Sequence, residues 1–270
     1  LGDKLAREDR GGDIYRQSLA TARDERDEIE ATCPKLTRFL TGYDLKHVYE
    51  PASETVDLSR LICGSEGTLA FVTEAKLDLT PIPTFRTLVN VKYDSFESAL
   101  RNATVMVAAE ALSVETVDSK VLDLARGDII WHSVKSLIED VPGKNMMGIN
   151  IVEFAGDDVE EQARKVKALT AKLDALMAAG HGGVIGYQVC DELASIETIY
   201  AMRKKAVGLL GNAKGRKKPV AFTEDTAVPP EKLADFIMEF RALLDEHQLA
   251  YGMFGHVDCG VLHVRPALDP

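Results

Sequence analysis

Two imidazoles, His256 and His263, flank the short turn Val257-Asp258-Cys259-Gly260, so a hairpin at that point brings them across from one another. Neutral ring nitrogens held that way bind a divalent metal at about 2.0–2.1 Å, and the plainer reading is two histidines hydrogen-bonded in a sheet. A metal also wants a third ligand, and none stands nearby in the sequence. A second group is Gly64-Ser65-Glu66-Gly67-Thr68, where two glycines around small polar residues let main-chain N–H groups approach a phosphate or carbonyl oxygen. Spacing alone also fits a tight turn. A third is basic: Arg203, Lys204 and Lys205, then Lys214, Arg216, Lys217 and Lys218. Such a set can make an anion funnel in which one arginine grips a carboxylate through two parallel hydrogen bonds, and Arg203 is the member best placed for it. A solvated face is the alternative for most of the lysines. The fourth is Glu224-Asp225; adjacent carboxylates on a strand point to opposite faces, so one at most serves a site. His47, His132, His181 and His247 show no partner spacing and read as structural.

The whole composition narrows the setting for these groups. The chain has 270 residues, 32 Lys+Arg against 43 Asp+Glu, and a net charge of −11. That balance excludes a broad nucleic-acid or anionic-membrane footprint, which needs cations over an entire face. No run reaches the roughly 18 apolar residues of a membrane helix, so a cytoplasmic protein is expected. Cys33, Cys63, Cys190 and Cys259 are scattered without Cys-x-x-Cys spacing, which fits reduced thiols and no iron–sulfur nest here. The chain opens at Leu1 and closes just after the histidine pair, and it reads as a piece of a longer protein.

The elements that must position these groups follow from periodicity. Residues 13–32 carry many charges and few apolar positions and predict an exposed helix ended by Cys33-Pro34. The 64–68 turn leads into alternating apolar and polar residues over 69–79, which predict a strand, and Pro81 and Pro83 mark a domain boundary. Beyond it strands are predicted at 87–91, 112–117, 146–154, 184–189, 220–227, 250–256 and 261–264. Helices are predicted at 95–108, 157–178 and 193–210, and after Pro229-Pro230. No glycine-rich dinucleotide fingerprint follows any strand, which disfavours a Rossmann fold. The expectation is α+β: the end of one subdomain (1–83), then a ferredoxin-like cap domain (84–270) whose helices cover one face of an antiparallel sheet.

Three stretches resemble one family. Leu61-Ile62-Cys63-Gly64-Ser65-Glu66-Gly67-Thr68-Leu69-Ala70-Phe71-Val72-Thr73-Glu74-Ala75 resembles the GSEGTLGIVTEA signature of FAD-linked oxidases of the vanillyl-alcohol oxidase type, the group of the D-lactate, glycolate and D-2-hydroxyglutarate dehydrogenases. Thr41-Gly42-Tyr43-Asp44-Leu45 is similar to its TSGYNL element, and 254–263 to its GHxGDGNLH element. The version of that last element here is most similar to the very large bacterial members whose flavin module continues into an iron–sulfur region.

The resemblance implies a function as well as a fold. It implies that Gly64, Ser65, Glu66, Gly67, Thr68 and Val72 lie along FAD, at the end of the FAD-binding subdomain. It further implies that His256 and His263 hold a divalent metal such as zinc, that Arg203 binds the substrate carboxylate, and that the bend and the imidazoles face the flavin from opposite sides. The third metal ligand and the catalytic base would lie beyond residue 270, and any iron–sulfur cluster outside this stretch. The implied reaction is oxidation of a D-2-hydroxy acid to the 2-oxo acid, with electrons passing to a quinone or an iron–sulfur domain, in the cytoplasm or peripherally at the inner membrane. An isolated fragment would be inactive. Oxidation of another alcohol, or a non-catalytic folded module, are the alternatives. The chain departs from the pattern at Asp258, Cys259 and Val261, where relatives have Gly, Asp and Asn, and at Thr223, where some have Lys.

Overall fold

The computed structural model describes every residue except Thr37, Phe39, Thr41, 212–215 and Pro270. Thr41 of the upstream element and Lys214 of the basic set therefore lie outside the described residues. The chain divides into two compact units, Leu1–Thr80 and Pro81–Pro270. No helix among the described residues is long and apolar enough to cross a membrane.

In the first unit the charged stretch forms two helices, Arg10–Asp24 and Arg26–Thr32. The Asp9 side chain caps the first by accepting the Gly12 N–H at 2.9 Å, and Glu25 divides the pair. Ser59–Cys63 is a short helix that delivers the chain to the 64–68 turn. The strand expected over 69–79 does not form: from 70 to 83 the chain has neither helix nor strand, and its apolar side chains stand open, Phe71 fully and Leu79 at 89% exposure. Alternation marks the two faces of a possible strand, but a strand exists only where a neighbour takes up its N–H and C=O groups. Among the described residues nothing does so here.

The second unit is built on an antiparallel sheet. Its strands are β1 (Phe85–Tyr93), β2 (Ser113–Asp118), β3 (Gly148–Gly156), β4 (Val184–Cys190), β5 (Lys218–Pro219), β6 (Thr223–Ala227), β7 (Tyr251–His256) and β8 (Val261–Leu268). The order is β4-β1-β3-β2-β7-β8-β5, with β6 also pairing β8. The helices are α1 (Phe96–Arg101), α2 (Ala103–Ala108), α3 (Ser119–Arg126), α4 (Trp131–Val134), α5 (Val159–Ala179), α6 (Leu193–Gly211) and α7 (Leu233–Glu246). Local chemistry fixes their ends. Ser95 caps α1, Asp118 caps α3, and Asp158 caps α5 by accepting from Glu160 and Glu161, while Gly180 closes α5 in the left-handed conformation at φ 64°.

Helices cover both faces of this sheet, not one. Val89, Val91, Val114, Val152, Met253 and Leu262 pack against α1, α2, α5 and α7 through Phe96, Leu100, Met106, Leu169, Leu173 and Ile237. On the opposite face Val117, Ile149 and Phe254 meet α3, α4 and α6, and Leu88, Ile151 and Cys190 meet Ile196 and Ile199 of α6. Each such fully buried side chain is worth about 1.5–3 kcal/mol of transfer free energy. The second layer follows from α3, a helix the sequence reading passed over, and from the apolar face of α6 at Ile196, Ile199, Met202, Ala206 and Leu210. Near β2, β7 and β8 that face changes from apolar to polar, and the histidine pair lies there.

Candidate active site

The ladder places the site residues. Glu115 on β2 is paired with His256 on β7, His256 with Val261 on β8, and His263 with Phe254, so Glu115, His256, Phe254, His263 and Arg265 share one face of the sheet. The two imidazoles are near neighbours, with ring centroids 5.4 Å apart and planes at 83°. Glu115, largely buried, accepts from His256 Nδ1 at 2.8 Å and is also ion-paired with Nη2 of Arg203, which reaches down from α6. Burial pushes the Glu115 carboxyl up, but the His256 hydrogen bond and the Arg203 charge outweigh that and hold it below the usual carboxylate range. His263 Nδ1 lies 3.0 Å from Asp225 Oδ1. Burial lowers the His263 pKa against the pull of Asp225, and the neighbouring His256 lowers it further, which favours the neutral ring.

The second acidic pair departs from expectation. Asp225 meets His263 and Glu224 meets Arg265, so both carboxylates serve the same face of β8. Strict alternation would have separated them. It fails because Asp225 sits at φ 58° and the β8–β6 register shifts between Leu262 and Val264, an irregularity that turns two adjacent side chains the same way. Phe254 lies beneath this group, 4.9 Å from the His263 ring, with the guanidinium carbons of Arg203 and Arg265 over it at 5.7 and 5.3 Å.

The polar row continues along β3. Glu153 takes a 2.7 Å ion pair from Arg86 and a short hydrogen bond from the Tyr200 hydroxyl, one helical turn before Arg203. Burial and the adjacent Glu153 carboxylate push the Tyr200 phenol well above its ordinary value, so it stays protonated and donates. Glu115, Glu153, Arg86 and Tyr200 escaped the sequence reading because single acids and aromatics inside strands and helices carry no spacing signal. Their common position appears only once the strand order is known.

The basic set does not assemble as a funnel. Lys205 pairs with Asp128 at 2.7 Å and Arg216 with Asp269 at 2.8 Å, whereas Arg203 joins the histidine group through Glu115. In the first unit, the 64–68 turn is internally braced. Ser65 Oγ donates to Ile62 O at 2.9 Å, Thr68 Oγ1 donates to Ser65 O at 2.6 Å, and the Tyr43 hydroxyl is 2.9 Å from Thr68 Oγ1. Gly64 packs so tightly on the Gly42 carbonyl that a Cβ would lie 1.9 Å from its oxygen. The main-chain N–H groups of Glu66 and Gly67 donate to no acceptor among the described residues. Val72 is exposed. No group of three or more His, Cys, Asp or Glu able to hold a metal occurs among the described residues.

Comparisons with known proteins give the family of the chain. Residues 82–270 match the family described as FAD linked oxidases, C-terminal domain. D-2-hydroxyglutarate dehydrogenase of Escherichia coli is 66% identical over 258 residues, 96% of this chain and 25% of that protein, and the protein of the same name from Haemophilus influenzae is 61% identical over 92% and 24%. Glycolate oxidase subunit GlcD of Bacillus subtilis is 25% identical over 90% of this chain and 45% of its own length. The chain thus spans about a quarter of the length of the curated relatives most similar to it among these. A solved alkyldihydroxyacetonephosphate synthase shares the fold at TM-score 0.55 and 12% identity, covering 80% of this chain and 41% of that one. The match spans the sheet, both helical layers and the histidine strands, and so the chain belongs to the FAD-linked oxidases and carries their C-terminal domain.

Proposed function

We propose that this chain is the substrate-binding part of an FAD-dependent D-2-hydroxy-acid dehydrogenase, with D-2-hydroxyglutarate as its substrate in the full-length protein. The observation that carries the reading is the His256–Glu115–Arg203 unit beside His263–Asp225: one guanidinium and two imidazoles gathered on one sheet face, each tied to a carboxylate. Arg203 takes the C1 carboxylate through the donors that Glu115 leaves open. The name of the D-2-hydroxyglutarate dehydrogenases that the chain resembles supports the choice of hydroxy acid.

The donor set suits a metal as far as it goes. Metal-binding histidines commonly give one ring nitrogen to a carboxylate and the other to the ion, and both imidazoles here engage a carboxylate through Nδ1, which leaves Nε2 of each for zinc or a similar cation. The remaining ligand and the general base come from elsewhere in the full-length protein. The braced 64–68 turn, with the N–H groups of Glu66 and Gly67 unspent, suits an FAD oxygen, and Val72 adds apolar contact. When bound, FAD supplies the hydride acceptor and the metal lowers the pKa of the substrate hydroxyl. Arg203 fixes the carboxylate, the histidine pair orients the hydroxyl, and Phe254 excludes water below them. Electrons pass to a quinone or an iron–sulfur region of the full-length protein, and the protein is cytoplasmic or peripheral at the inner membrane.

The test is anaerobic mixing of the full-length flavoprotein with D- and L-2-hydroxy acids while flavin absorbance is followed. Bleaching by D-2-hydroxyglutarate supports the reading; absence of bleaching by every 2-hydroxy acid removes it. Metal content of the full-length protein falls in His256→Ala and in His263→Ala if the pair holds the ion, and is unchanged if they do not.

A further inference from the structure

Arg265 has no place in the chemistry described so far, yet its surroundings are built. It follows His263 by two residues on β8 and therefore stands on the same face, and its partner across the ladder is Gly252, which puts no side chain in its way. It leans along the sheet until its guanidinium carbon lies 5.3 Å from the Phe254 centroid, where Arg203 lies at 5.7 Å. The two guanidiniums are thus no farther apart than those distances combined, with His263 4.9 Å from the same ring. Among the described residues each is restrained by one carboxylate. Glu224 takes Arg265 through Nε and Glu115 takes Arg203 through Nη2. The Nη1–Nη2 edge of Arg265 makes no hydrogen bond among the described residues, and that edge is the one that meets a carboxylate end-on. Both side chains keep about a fifth of their surface open, at 20% and 21%.

We propose that Arg203 and Arg265 form a two-cation clamp for a 2-hydroxy dicarboxylate, Arg203 taking the carboxylate beside the hydroxyl and Arg265 the distal one, so that Arg265 sets the preference for diacids over monoacids. The inference rests on the proposed 2-hydroxy-acid chemistry and names the residue that chooses within that class. A five-carbon chain laid over Phe254 keeps its hydroxyl by the histidines and its second carboxylate at Arg265. Glu224 holds the guanidinium stem in this orientation without using its terminal edge, which makes it a positioning residue. A monoacid of the same length places a methyl group against that open guanidinium edge, and the lost charge-assisted hydrogen bonds are the source of discrimination.

The experiment compares the full-length enzyme with Arg265→Gln, Arg265→Lys and Glu224→Gln, using D-2-hydroxyglutarate and the equally long monoacid D-2-hydroxyvalerate. Hydrogen bonds to a charged group account for about 1.5–3 kcal/mol, so Arg265→Gln is expected to lower kcat/KM for the diacid by about 10- to 150-fold, chiefly through KM. The value for the monoacid stays within about threefold, Arg265→Lys retains part of the preference, and Glu224→Gln retains most of it. A parallel fall for both substrates, an unchanged diacid-to-monoacid ratio, or a loss in Glu224→Gln equal to that in Arg265→Gln overturns the clamp. Binding of the unreactive diacid glutarate, read by thermal shift, gives a second measure free of turnover: wild type responds and Arg265→Gln does not. If the wild type oxidises neither hydroxy acid, the functional reading fails, and the glutarate comparison still decides the clamp.

Discussion

At the scale of single residues, Glu115 is the one whose loss should cost most. It is largely buried between Arg203 and His256, so Glu115→Ala leaves Arg203 without its carboxylate and His256 without its Nδ1 acceptor. Breaking a buried pair of this kind typically costs about 3–5 kcal/mol; the low end is expected because both partners keep some exposure, and urea unfolding of the chain measures it. A change under about 0.5 kcal/mol would show that the triad contributes nothing to the fold. Glu115 is also where sequence reasoning stopped short. His256, His263 and Arg203 announce themselves through residue type and spacing, whereas one Glu in a strand reads the same whether it faces solvent or an imidazole. Only the β2–β7 pairing separates those cases.

Among the elements, α3 carries a pH dependence. Asp118 caps it through Val121 N–H and also accepts the Met253 N–H of β7, both within about hydrogen-bond length at 2.9 and 3.0 Å. Burial nonetheless wins and pushes its carboxyl up to about 6. The folded chain therefore holds a proton that the unfolded chain releases near 3.8, and this contribution to stability is full below that value and lost as pH rises through about 6. Asp118→Asn removes the titration, and its amide cannot accept from both N–H groups. The melting temperature of the wild type should exceed that of the variant most at pH 4 and less at pH 7; a constant difference would refute the assignment. Gly260→Ala tests the turn between the histidine strands. Its φ is 69° and an added Cβ would lie 1.8 Å from the Val228 carbonyl oxygen, so a loss of more than about 2 kcal/mol in urea unfolding is expected. The helices α5 and α7 were legible because their apolar residues recur every three or four positions. The 69–79 strand was misread because alternation records which faces a strand would have, not whether a neighbour exists. The α3 helix was missed because its apolar positions, Val121, Leu122 and Ala125, make too short a run to stand out.

At the scale of the whole molecule, the two units and the uncovered stretch between 70 and 83 give a prediction about cleavage. Chymotrypsin at low dose should cut first after Phe71, Leu77 or Leu79, whose side chains are exposed on backbone without helix or strand, and leave a core beginning near Pro81. First cuts inside the eight-stranded sheet would contradict that division. The antiparallel α+β architecture was legible from the rhythm of strands and helices. Coverage of both sheet faces was not, because adjacent apolar residues such as Leu88 and Val89 within β1, one on each face, do not say how many layers enclose the strand. The register shift opposite Asp225 has a consequence for how this protein tolerates change. Residues 223–227 can exchange side chains, but they cannot gain or lose one: a single insertion or deletion would hand His263 and Arg265 each other's carboxylate or none. Length along that short segment is therefore held more strictly than composition, and variants that shorten or extend it should fail where point substitutions survive.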